Sequence, residues 1–174
     1  MTLDAATYSA IETLRDGREV TVRALRPADR TGLLAAVQSL SSQSLRRRFF
    51  GVRRDFSEEE ISYFTEVDFV RHVALVAEPR EAERSSIVGG ARYIVVEPGK
   101  AEIAFAIIDE YQGKRLGAAL MRHLVGLARD AGLKELVAEV LPENTGMMNV
   151  FKRSGLSLTT RHVDQVVHVS LRLA

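Results

Sequence analysis

Gly113 and Gly117 sit four residues apart in the stretch IIDEYQGKRLGAAL, with Lys114 and Arg115 between them. An apolar run ends at Ile108, at the start of this stretch, and a helical apolar spacing begins at Leu116, near its end. Glycine disfavours a helix interior by about 1 kcal/mol relative to alanine, so two of them at a helix start need a reason. The first turn of a helix carries backbone N–H groups without internal partners, and the helix dipole adds positive potential there. Bare glycine backbone lets an anion come within hydrogen-bonding reach of those groups. The chemistry this spacing offers is a seat for a phosphate or pyrophosphate. A plainer use is also open: Gly113 ends a turn, and Gly117 lets the helix pack closely on a sheet. Neither the nucleotide-loop pattern G-x-x-x-x-G-K-[ST] nor the dinucleotide pattern G-x-G-x-x-G is present. Two carboxylates stand inside otherwise apolar strand-like runs, Glu102 in AEIAFAII and Glu139 in ELVAEVL. Either has the chemistry of a general base, and either equally suits a solvated strand end.

The elements that must position these groups are legible in outline. Tyr8–Leu14 and Val20–Leu25 flank Asp16-Gly17, a hairpin signal. Pro27 opens a helix, and Ser41 caps a second that contains RRRFF, Arg46 to Phe50. This run reads as arginines outward and phenylalanines inward, with guidance of an acidic partner or a ribose phosphate as the other reading. Ser57 and Glu60 form a capping box ahead of a third helix. VALVA, IVGGARYIVV and AEIAFAII read as strands, the last two joined by a turn at Pro98-Gly99. A helix is expected over Gly113–Ala131, then the strand ELVAEVL, then a helix from Asn144 to Ser154. LSLTT and QVVHVSLRL read as a closing antiparallel pair. The expected class is α/β (α+β), a mixed and largely antiparallel sheet with helices on its faces.

The chain has 174 residues, a formal net charge of +1 and no cysteine. One domain over residues 1–174 is expected, with 1–17 as an N-terminal arm or extra strand. Near-neutral charge gives no argument for nucleic acid or a membrane surface. No signal peptide is evident, and the cytoplasm is the expected location. Four scattered histidines, His72, His123, His162 and His168, show no metal-ligand spacing, so no metal is expected.

AIIDEYQGKRLGAAL resembles the Q/R-x-x-G-x-G/A acyl-CoA motif of the GCN5-related N-acetyltransferase (GNAT) superfamily, on Gln112, Gly113, Lys114, Leu116, Gly117 and Ala118. Arg115 stands where that motif usually has glycine, and its side chain must point away from the pyrophosphate. VRALRPADRTGLLAAVQSLSSQSLRRRFFG, AEIAF and AEVLPENTGMMNVFKRSGL resemble the bacterial protein-lysine acetyltransferases of the Pat type. The resemblance implies the GNAT fold and acetyl-CoA as acyl donor. It implies a pyrophosphate on the backbone from Gly113 to Ala118, Arg115 included, and a pantetheine arm beside exposed main chain at Ile107 and Ile108. Asn144, Met147 and Phe151 match the second cofactor-contacting helix. Glu102 stands where Pat-type enzymes carry a catalytic glutamate, with Glu139 as understudy. Glu66 and Asp68 are candidates for shaping an acceptor groove.

A lysine amine, ordinarily near pKa 10.4, must lose a proton before it attacks a thioester. With no cysteine, an acyl-cysteine intermediate is impossible, so direct attack in a ternary complex is expected. Related enzymes often place a tyrosine acid where this chain has Phe151; Tyr111 and Tyr93 are the possible substitutes. Asn144 also suits a helix cap, and Met147 and Met148 also suit a core. The expected acceptor is a protein lysine. A small-molecule amine acceptor and a non-catalytic CoA sensor are the alternatives. An unrelated phosphate-binding protein is the third.

Overall fold

The computed structural model describes residues 4–49, 56–81 and 86–173. Eight strands form one sheet in the order β1-β2-β3-β4-β5-β6-β8-β7. They are β1 Ser9–Thr13, β2 Glu19–Ala24, β3 His72–Pro79, β4 Gly89–Glu97, β5 Lys100–Ile107, β6 Glu135–Val140, β7 Ser157–Val163 and β8 Val166–Arg172. Every neighbouring pair is antiparallel except β5–β6. The helices are α1 Arg30–Gln38, α2 Ser42–Phe49, α3 Glu58–Thr65, α4 Leu116–Asp130 and α5 Thr145–Lys152.

Local signals set these boundaries. The β1–β2 turn holds Gly17 at φ +90°, and the β4–β5 turn holds Gly99 at φ +80°, both left-handed values that glycine adopts without strain. Ser57 Oγ accepts from the Glu60 N–H at 3.1 Å while the Glu60 carboxylate accepts from the Ser57 N–H at 3.2 Å, which starts α3. Asn144 Oδ1 accepts from the Met147 N–H at 3.2 Å and starts α5. α4 begins at Leu116, three residues later than its apolar pattern suggested. Arg115 is left-handed at φ +72°, so the helix cannot extend back through it.

The sheet buries its two faces against different layers. On one face α4 and α5 cover the strands. Leu116, Leu120, Met121, Leu124 and Leu127 of α4 are all buried there, with Tyr93, Leu136, Phe151 and Leu171. Burying each such side chain contributes about 1.5–3 kcal/mol, which fixes α4 to the sheet. On the other face α1 packs Leu33 and Ala36 on Leu25, Ala74, Val76 and Ile87. Cross-strand register puts Arg23, Val76, Gly90 and Ala106 in one row of this second face, and Ala74, Arg92 and Ala104 in the next. The row after that holds His72, Ile94 and Glu102.

Candidate active site

β5 and β6 pair over only three residues, Lys100–Glu102 against Glu135–Val137. Beyond Glu102 the two strands part, while β5 stays paired to β4 and β6 to β8. A cleft of about 640 Å³ opens at the parting, walled by β5, β6, α2, α5 and the start of α4. From Ile103 onward the β6-facing edge of β5 has no strand partner, so its main-chain polar groups are available to a ligand lying in the gap.

The loop ahead of α4 forms one end of this cleft. No backbone N–H from Gly113 to Ala118 has an acceptor among the described residues. Six successive donors at a helix start make a concentrated positive site. Gly113 takes φ +73° with open space where a side chain would be. Gly117 has a packing reason as well: a Cβ there would lie 3.2 Å from Val150 Cγ2 and 3.5 Å from Ile107 Cδ1. The plainer use of the glycine pair is therefore present, and the same bare backbone leaves room for an anion. The Lys114 carbonyl accepts from the Arg15 N–H at 3.0 Å, which braces the loop against the β1–β2 turn.

The candidate residues fall unevenly around the cleft. Glu102, Ile107, Gln112, Gly113, Arg115, Leu116, Gly117, Ala118, Asn144, Met147 and Phe151 all line it. Leu116 and Phe151 do so from the core side; Phe151 is fully buried, its ring 6.2 Å from that of Phe105. Lys114 does not line the cleft and lends the loop only its main chain. Ile108 faces the other way, into a smaller cavity under α1. Exposed main chain at Ile107 and Ile108 was the expectation; it is corrected for Ile108, whereas Ile107 stays on the unpaired edge of β5 and lines the cleft. The Ile108 N–H donates to Val88 O at 3.0 Å, and the Ile107 carbonyl accepts from Gln112 Nε2 at 2.9 Å. Gln112 Nε2 also donates to Ser44 Oγ at 3.0 Å, so this side chain ties β5 to α2.

Glu102 is exposed on the cleft wall at the last rung β5 shares with β6. Glu139 also lines the cleft, with its carboxylate 3.7 Å from His168 Nδ1, the basic neighbour its strand position suggested. Asp68 is committed elsewhere. Its Oδ1 accepts from the N–H groups of Val70, Arg71 and His72 at 2.9–3.0 Å, and these bonds hold its carboxyl below the usual range. Neither Glu66 nor Asp68 reaches the cleft. Tyr93 is buried in the core away from it, whereas Tyr111 lines it.

The run at Arg46–Phe50 departs from the outward reading. Arg46 is exposed beside Glu143, but Arg47 and Arg48 turn into the cleft wall. Arg47 Nε is enclosed without a partner. Burial brings the Arg48 guanidinium down to about 10, and the charge of Glu102 acts on it in the opposite sense. The Phe49 side chain and Phe50 lie outside the described residues. Arg15 and Arg153 join Arg47, Arg48 and Arg115 on the cleft, against two carboxylates, so the site favours an anion. Sequence reading missed Arg15, Ser44 and Arg153. No local signal marks them, because tertiary packing alone brings them to the loop. The residues present fit the diphosphate of an acyl-CoA at the loop and its extended arm in the gap.

The family model for the acetyltransferase (GNAT) family matches residues 41–156. The chain is 33% identical to acetyltransferase PA5475 of Pseudomonas aeruginosa over 165 residues, 94% of this chain and 88% of that protein. It is 31% identical to acetyltransferase Pat of Mycolicibacterium smegmatis over 144 residues, 82% of this chain and 42% of that longer protein. The crystal structure of the GNAT domain of S. lividans PAT superposes with a TM-score of 0.85 at 30% identity, covering 94% of this chain and 96% of that one.

Proposed function

Because this chain belongs to the GNAT family of acetyltransferases, we propose that it moves an acetyl group from acetyl-CoA to the side-chain amine of a protein lysine, with Glu102 as general base. The observation that carries the donor half is the row of unpartnered N–H groups from Gly113 to Ala118 at the end of the β5–β6 gap. The acceptor half is supported by the likeness to proteins of the Pat type. Acetyl-CoA supplies the acyl group as a thioester.

The chain's own contribution is positioning and proton transfer. The N–H row and the cleft arginines hold the diphosphate end. The open edge of β5 from Ile103 to Ala106 aligns the arm so that its reactive end lies near Glu102. A protonated lysine entering there is not nucleophilic. Glu102 takes its proton, directly or through one water, which frees the nitrogen lone pair for the thioester carbon. The N–C bond forms, the C–S bond breaks, the sulfur leaves as a thiolate, and the second proton of the acylated nitrogen passes to solvent, which leaves a neutral amide. Phe151 offers no proton to that thiolate. Tyr111 is the tyrosine on the cleft, with the Arg18 guanidinium 4.1 Å over its ring.

The Glu102→Gln variant tests the mechanism. Turnover on a lysine peptide should fall by about 10²–10⁴ at neutral pH, while the Kd for CoA measured by calorimetry stays within about twofold. Full turnover in the variant removes Glu102 from the chemistry. Mass shifts on lysines of cell proteins that vanish when the gene is deleted test the acceptor.

A further inference from the structure

A second, smaller cavity of about 80 Å³ adjoins the cleft on the α1 and α3 side of the sheet. The two share Leu40, Arg48, Ala104 and Ala106 in their walls. Gly89, Gly90, Ala104 and Ala106 give this chamber a floor of small residues, and Leu33, Val37, Ile61 and Phe64 enclose it with apolar surface. One fixed charge in that lining stands out. Arg92 is 8% exposed, and its Nη1 lies 3.0 Å from both the Phe64 carbonyl and His72 Nε2. Those two contacts use both Nη1 hydrogens. A guanidinium has five donors, and the three on Nε and Nη2 have no acceptor among the described residues. They are not sealed in either, since Arg47 Nε is the one fully enclosed donor without a partner among those residues. No carboxylate pairs with Arg92 among them. Burial, and then the like charge of Arg48, bring the Arg92 guanidinium down to about 9, so it remains a cation at neutral pH.

A buried cation without a counter-ion is strongly unfavourable. The face of the Phe64 ring 5.1 Å away offsets part of that cost, and the Phe64 carbonyl ties Arg92 to the end of α3, but neither supplies a counter-charge. We propose that the chamber receives a carboxylate on a short apolar stem, bound by Arg92, as the far end of a substrate whose reacting end lies in the cleft beside Ala104 and Ala106. This rests on the acyl-CoA reading of the cleft. A cavity of ~150 Å³ accepts benzene, so about half that volume takes roughly three or four heavy atoms, a carboxylate and one methylene. The same chemistry arrives from two sources. One is the acyl group of a dicarboxylic thioester such as malonyl-CoA or succinyl-CoA. The other is a small amino-acid acceptor. The bonds made and broken are those already described, and a neutral chain of equal size leaves the cation unpaired.

Two substrate panels test this on the intact protein. In the first, acetyl-, butyryl-, malonyl- and succinyl-CoA are compared with one lysine peptide, reading acceptor-dependent thiol release. In the second, acetyl-CoA is fixed and glycine and β-alanine are compared with their amides. In one panel the carboxylate should exceed its neutral analogue by about 10-fold or more in kcat/KM. Arg92→Met should erase that ratio and Arg92→Lys should restore part of it, with the Kd for CoA unchanged. If Arg92→Met does not fold, Leu33→Phe fills the chamber from α1 and should erase the ratio with Arg92 in place. Absence of a carboxylate preference in both panels overturns the proposal. So does a preference that survives Arg92→Met or Leu33→Phe. Failure of CoA to bind the unaltered protein sinks the cleft reading and this proposal together, and is separately visible by calorimetry.

Discussion

Two arginines lie buried on the same face of the same sheet, two strands apart, and their surroundings are opposite. Arg23 on β2 is 4% exposed and nearly saturated. Its Nη1 and Nη2 bind the two oxygens of Asp29 at 2.8 Å each, its Nε binds Glu78 at 2.9 Å, and Nη1 also donates to Ala24 O at 3.1 Å. These bonds raise its pKa, with the Asp29 hydrogen bonds the largest cause. Burial alone would raise the Asp29 carboxyl, but the bonds from Arg23 and the Arg26 N–H outweigh it and leave the group below its usual range. Arg92 on β4 has a carbonyl, an imidazole and the face of the Phe64 ring at 5.1 Å, and it lines the chamber. Among the described residues two carboxylates reach one buried cation and none pairs with the other. The first cation joins the start of α1 to the sheet. The second is left for something that arrives.

The largest expected effect lies at the saturated site. Arg23→Met takes the guanidinium away from buried Asp29, and one partner away from half-buried Glu78, and should lower stability by about 3–5 kcal/mol in urea denaturation. Next comes acid. His72 is held near pKa 4 by burial and by the charge of Arg92, with Asp68 opposing. As pH falls below about 6.5 the unfolded chain takes up this proton and the folded one does not. The contribution of neutral His72, up to about 3 kcal/mol, is therefore complete above 6.5 and lost as pH approaches 4. His72→Gln should flatten the stability profile in that window. Arg92→Met should shrink the loss, because it removes one of the two causes. Asp29 titrates below that window, so the two acid effects separate. The smallest effect is on stability in Arg92→Met, at most about 1 kcal/mol, because the lost hydrogen bond is offset by relief of an uncompensated charge. Equal losses in the two arginine variants would break the contrast.

Most of the fold was written in short-range chemistry. Asp16-Gly17, the Ser57–Glu60 box, Pro98-Gly99 and the Asn144 cap each act within a few residues, and each stands where the sequence indicated. The Gly113–Gly117 loop was legible as a break in an apolar pattern, whereas Glu102 and Glu139 both break apolar strands and only the resemblance separated them. What escaped depends on the tertiary arrangement. Arg47 and Arg48 face the cleft because α2 is tied to β5 through Ser44 and Gln112, not because of any pattern in RRRFF. Arg115 is left-handed in a position that looks helical, since nothing in its type opposes a helix. Arg92 looked like an ordinary strand residue. Its isolation becomes visible only when the neighbouring strands are seen to bring no acid to it.

The short β5–β6 seam also has a mechanical meaning. Five strands on one side and three on the other form two plates joined along three rungs, with Lys100 between Glu97 and Glu135 as a clasp at the closed end. A guest lying along the gap would rivet those plates together. Amide protons of residues 103–106 and 138–140 should then exchange more slowly in the loaded protein, marking where the guest completes the fabric of the sheet.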